Sequence, residues 1–114
     1  MKRRDHLDYL QDILESIDDV QSFVAGMSYE DFANDRKTVN AVIRSIEVIG
    51  ESARAVPDSV KRKNPSIPWE KMVSMRNKLI HEYFGVDIEI IWQTIQEDIS
   101  PLRDDIAELI SKEE

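Results

Sequence analysis

An all-α domain is what this chain predicts: a small up-and-down bundle of four main helices with one short helix added. Two observations carry that expectation. Apolar residues recur at three- and four-residue spacing through most of the chain, and long runs of helix formers are interrupted by only three glycines and four prolines. Size sets the organisation, because 114 residues and 13.3 kDa suffice for one modest core. Residues 1–114 therefore read as a single domain, and an oligomer would be an ordinary way of completing so small a core.

The first helix is set by Leu7, Leu10, Ile13, Leu14, Ile17, Val20 and Val24. It runs for about 20 residues and stops near Gly26. Ser28 to Asp31 then read as a capping box opening a short helix that carries Phe32. Val39, Val42, Ile43, Ile46, Ile49 and Ala53 define the second main helix, which ends before Pro57. The stretch DSVKRKNPSIP has two prolines and no sustained period, so it reads as a loop.

The third main helix opens with the proline of IPWE in its first turn, where a missing amide hydrogen costs nothing. It should reach about Phe84, where Gly85 can end it. Ile88, Ile91, Trp92, Ile95, Ile99, Leu102, Ile106 and Leu109 carry the period on across Pro101. They predict one helix kinked at that proline, or two nearly continuous ones with Ser100 as a cap.

Composition narrows the function classes. There is no cysteine, which removes thiol nucleophiles, disulfides and zinc–thiolate sites. The start, MKRRDHLDYLQDIL, lacks the apolar core of a signal peptide, and the longest apolar runs are a few residues, far short of a membrane span. A soluble cytoplasmic protein is the expectation. The formal net charge of −8 comes from 15 Lys and Arg against 23 Asp and Glu. Such a chain repels polyanions at long range, which weighs against a general nucleic-acid binder but not against a small cleft with local positive charge. The carboxylates fall mostly in the first helix and the tail, whereas KRRD at the start and KRK at 61–63 are short basic exceptions, read as solvated.

The octad RNKLIHEY, residues 76–83, concentrates the chemistry. At about 100° per residue from Arg76, Trp69, Met72, Val73, Leu79, Ile80 and Tyr83 all fall within about 60° of it, so Arg76 sits at the centre of an apolar stripe. A guanidinium there must meet a carboxylate, emerge into a groove or face another subunit. Asn77 and His81 lie along one flank, at about 100° and about 140°. Two copies of the helix would gather two arginines and two histidines around one cleft, which favours a composite site in a homodimer. Histidine can move a proton at a ribose 2′-hydroxyl or a leaving 5′-oxygen, and arginine can hold a phosphate through a charged transition state. On spacing alone a structural or interface role for the pair stands beside this catalytic one.

The octad also resembles the signature of HEPN-domain proteins of the HepT type, the family once catalogued as DUF86. VIGESARAVP at 48–57, IPW at 67–69, MRNKLIHEYFGVD at 75–87 and the IW at 91–92 extend the likeness over nearly the whole chain. The resemblance implies an endoribonuclease toxin of a two-gene toxin–antitoxin pair, with Arg76 and His81 as the catalytic pair and Asn77 in support. It further implies a homodimer with the cleft between subunits, and a minimal nucleotidyltransferase antitoxin that transfers AMP from ATP onto the motif tyrosine, here Tyr83. Phosphate placed there would bring negative charge and bulk to the entrance for RNA.

Other candidates read more plainly. Glu51, next to a Gly50 small enough for close helix approach, could pair with Arg76 or be a solvated carboxylate. Without the family, Tyr83 would be a buried ring with a satisfied hydroxyl. Trp69 and Trp92 read as core aromatics, and His6 as an exposed side chain with no partner. No ligand-spaced cluster points to a metal and no glycine-rich loop to a bound phosphate, so no cofactor is expected. The competing function is a non-catalytic helical interaction or regulatory module that dimerises and binds a partner nucleotidyltransferase.

Overall fold

In the computed structural model the chain is described at residues 4–81 and 87–114, with residues 80 and 81 described by their backbone alone. Among the described residues seven α-helices follow one another: α1 His6–Val24, α2 Tyr29–Ala33, α3 Arg36–Ala55, α4 Asp58–Lys63, α5 Trp69–His81, α6 Ile88–Thr94 and α7 Leu102–Glu113. A π-helical turn, Ile95–Ile99, joins α6 to α7. Among the described residues there is no strand, and no helix is long and apolar enough to cross a membrane.

Each boundary has a local cause. Asp5 caps α1 by accepting from the backbone of Leu7 and Asp8, while the Asp8 carboxylate accepts from Asp5 N–H. Gly26 ends that segment at φ +76°, a left-handed turn that a side chain would strain. Ser28 and Asp31 form the expected capping box, each accepting from the other's backbone N–H at 3.1 Å. α1 packs on α3, α3 on α5 and α7 back onto α1. Leu10, Ile13, Ile17, Val20, Val42, Ile46, Ile49, Met72, Ile95, Ile99 and Ile106 meet in one core.

Three expectations need correction. The stretch read as a loop contains α4, a single turn and a half that buries Val60 and carries Lys61, Arg62 and Lys63 at its C-terminal end, where cations suit the helix dipole. One apolar residue in six leaves no period to read. Ser100 does not cap α7 with its side chain; its N–H and its hydroxyl both donate to Ile95 O at 3.1 Å, closing the π turn. Pro101 explains that geometry, since its ring would collide with the carbonyl four residues back, and one extra residue in the turn relieves the collision while Ile95, Ile99 and Leu102 stay in the core. His6 is half-buried with its Nε2 3.2 Å from Glu113 Oε2, because α7 returns its end to the start of α1.

Asp35 caps α3, accepting from Thr38 N at 3.1 Å and from the Thr38 hydroxyl at 2.8 Å. The backbone bond from Thr38, followed by the hydroxyl, holds its carboxyl below the ordinary aspartate value. A depressed folded-state pKa contributes stability above the unfolded value, and that contribution is lost as pH falls through the folded value. Asp35→Asn keeps a cap acceptor but does not titrate. Urea midpoints measured at pH 7 and at about pH 3, below the ordinary aspartate range, should fall less in the variant than in the parent.

Candidate active site on the seam of α3 and α5

The seam between α3 and α5 is tight at Gly50. A Cβ built on that glycine would overlap Arg76 Cβ and come 2.8 Å from Met72 O and 3.1 Å from Arg76 Cγ. Glycine inside a helix costs roughly 0.5–1 kcal/mol against alanine, and here the close approach of α5 is its reason. The aliphatic stem of Arg76 thus lies on bare α3 backbone, with Ile49, Ala53 and Met72 fully buried nearby in the same interface.

Farther along the same side chain, Arg76 Nε is buried and has no hydrogen-bond partner among the described residues. The guanidinium reaches outward and donates from Nη1 to Asn77 Oδ1 at 3.2 Å. No carboxylate lies within ion-pairing distance of it among the described residues. Of the three environments open to a guanidinium in an apolar stripe, the carboxylate partner is not found among the described residues: the inner end of the side chain is desolvated and its fork turns to Asn77. An oxyanion would complete its hydrogen bonding.

Asn77 is exposed, and its Oδ1 accepts from Arg76 Nη1. His81 is the last residue of α5, so the five-residue spacing from Arg76 lies wholly on one helix. Tyr83, Phe84 and Gly85 fall outside the described residues. Glu51 is not brought to Arg76. Being one residue on from Gly50, it projects to the α1 side, exposed, and lines a cavity with Tyr9, Asp12, Arg44 and Ser52. Trp69 is buried as a core aromatic, its indole N–H donating to Asn64 O at 3.0 Å. Trp92 is half-buried and packs on Phe32 and Tyr29.

Charge is segregated by helix. Arg36, Lys37, Arg44 and Arg54 against Glu47 and Glu51 leave α3 net positive; Lys61, Arg62 and Lys63 against Asp58 do so for α4, and Lys71, Arg76 and Lys78 against Glu70 for α5. α1 by contrast holds Asp8, Asp12, Glu15, Asp18 and Asp19 with no Lys or Arg. The helix that carries Arg76 and the α3 on which it packs are therefore each net positive within an acidic chain.

Comparison with known proteins decides the family. The family model for "Ribonuclease HepT-like" matches residues 13–109, a span that includes the whole octad. This chain belongs to the HepT-like family. It is 48% identical over 101 residues to a Thermococcus cleftensis protein named "Probable ribonuclease HepT", covering 89% of this chain and 92% of that protein. It is 40% identical over 110 residues to a candidate RNase of Methanocaldococcus jannaschii, covering 96% and 91% of the two chains. A candidate RNase of Caldanaerobacter subterraneus is 41% identical over 105 residues, with 92% and 94% covered. No solved structure matches the chain. In this HepT-like chain the matched span runs from within α1 to within α7, so the family likeness takes in the core as well as the site. What the sequence left unassigned was Gly50 as the counterpart of Arg76. The signal was available, since a glycine interior to a helix needs a packing reason.

Proposed function

We propose that this chain is a metal-independent endoribonuclease, the toxin of a two-component toxin–antitoxin system, acting at a cleft shared by two copies. The observation that carries the reading is Arg76: a guanidinium with a buried, unpartnered Nε, no carboxylate near it among the described residues, and a histidine five residues on along the same helix. The ribonuclease names of its relatives support the substrate class.

The chemistry needs only these groups. The His81 imidazole takes the proton of a ribose 2′-hydroxyl, O2′ bonds to the adjacent phosphorus, and the bond from phosphorus to O5′ breaks. The leaving O5′ takes a proton from a second imidazolium, which the partner copy's α5 would supply. Arg76 pairs with the non-bridging oxygens as charge builds on them. The products are a 2′,3′-cyclic phosphate and a 5′-hydroxyl. Arg76 and His81 stand about 140° apart on an ideal helix, which one helix presents poorly to a single phosphate and two facing helices present well.

Restraint would come from a minimal nucleotidyltransferase antitoxin that transfers AMP from ATP onto the hydroxyl of Tyr83, two residues after His81: the phenol oxygen bonds to the α-phosphorus, pyrophosphate leaves and the phenol proton is lost to solvent. The added phosphate would meet the incoming RNA phosphate with like charge.

The test is cleavage of total cellular RNA by purified protein whose intact mass excludes AMP on Tyr83, with a chelator present and product ends identified. Cyclic phosphate ends are the expected result. Inactivity of the unmodified protein would instead favour the non-catalytic module, in which Arg76 and its neighbours hold a partner.

A further inference from the structure

We propose that Gly50 is a positioning residue for Arg76: by lacking a side chain it fixes the arginine stem on α3 and aims the guanidinium out of the seam. This rests on the reading above that Arg76 acts on the scissile phosphate.

The geometry leaves little room for another residue at position 50. The atoms that a methyl group would meet are Arg76 Cβ, Arg76 Cγ and Met72 O. One is a backbone carbonyl and another is the first atom of the side chain, so neither can rotate aside. A larger residue must therefore displace α5 or force the Arg76 stem to leave α3. Either movement affects the guanidinium directly.

The buried Nε supports a positional role beyond packing. A purely structural glycine would bring together apolar surfaces, yet here it draws a cation's stem inward until Nε loses contact with water and gains no partner. Desolvating a donor without a bond is unfavourable, and such cost is commonly found where a group is held ready for a ligand. With stem and Nε held, the fork lies toward Asn77. The arginine thus meets phosphate already ordered, without spending binding energy to freeze its rotors.

The experiment compares Gly50→Ala with the parent, Arg76→Ala and a control core variant, Ile17→Val, on one RNA substrate at a temperature where circular dichroism shows each folded. Gly50→Ala should lower kcat by at least about 30-fold, in line with the cost of misplacing a catalytic group by about an ångström, while KM changes less than about threefold. Ile17→Val, in the α1 core, should lower the melting temperature and leave kcat intact. A folded Gly50→Ala protein with the parent's kcat would overturn the proposal, whatever its melting temperature. Cleavage by Arg76→Ala equal to the parent's would instead bring down the underlying reading, so the two failures are distinct.

Should Gly50→Ala not fold, the parent still decides. The Arg76 Nε–H resonance, assigned by its loss in Arg76→Lys, should exchange with solvent at least tenfold more slowly than those of the exposed Arg36 and Arg62. Exchange as fast as theirs would mean that Gly50 does not hold the stem in place, and the proposal would fall.

Discussion

Alanine at position 81 is expected to reduce RNA cleavage by about 10²–10⁴-fold, the range that one general acid–base group contributes. Arg76→Ala should cost about 10²–10³-fold, as the loss of one donor to transition-state charge does. Both changes suit a helix, since alanine is its best former, but Arg76→Ala also removes the stem packed on Gly50 and should lower the melting temperature, so cleavage is compared where each variant is folded. Arg76→Lys should recover little, because an ammonium cannot present the forked pair of donors that the Asn77 contact pre-orients. The double variant should be scarcely worse than the weaker single one, since residues acting as a unit are not additive. Two folded single variants that cut as fast as the parent would overturn the assignment of the pair.

The positive charge of α3, α4 and α5 sharpens a second feature of that experiment. RNA must approach a chain of net charge −8, and the exposed Lys78 and the basic end of α4 lie on helices net positive in charge. Binding through them should weaken as salt rises, through release of counterions from the RNA backbone. The chemical step, sheltered at Arg76, should respond less. Salt should therefore act mainly on KM.

Much of this was legible in the sequence because main-helix packing follows periodicity. The capping box at Ser28 and Asp31, the stop at Gly26 and the buried stripe of α3 all lie where spacing and cap chemistry put them. α4 was missed because a six-residue helix with one buried valine has no period. The π turn was missed for a different reason: it leaves the apolar spacing intact and changes only which donor reaches Ile95 O. The pairing of His6 with Glu113 spans 107 positions, and no local pattern encodes it. At the site, the centring of Arg76 in an apolar stripe was readable. Which face of α3 lay opposite was not, so Glu51 drew attention that belonged to Gly50.

Phe32→Ala should be the most destabilising single truncation at the periphery of the bundle, costing about 3–5 kcal/mol. α2 has five residues, far too few for an isolated helix to hold itself together. Its capping box orders the first turn, but what fixes α2 to the bundle is the Phe32 ring, fully buried and 5.2 Å from the ring of Trp92. Tyr29 adds an edge-on contact to the same indole at 6.2 Å. Alanine would remove the anchor and leave Trp92 facing a void. Against a total stability of about 5–15 kcal/mol for a domain, that loss is large. A urea titration should show the midpoint falling while the slope is unchanged. Phe23→Ala, at a phenylalanine that is 39% exposed on α1, is the matched control and should shift stability by no more than about 0.5 kcal/mol. A loss at Phe32 no larger than at Phe23 would mean that α2 is an appended turn rather than part of the core. The expected difference would mean instead that α2 clamps α6 to the bundle through Trp92.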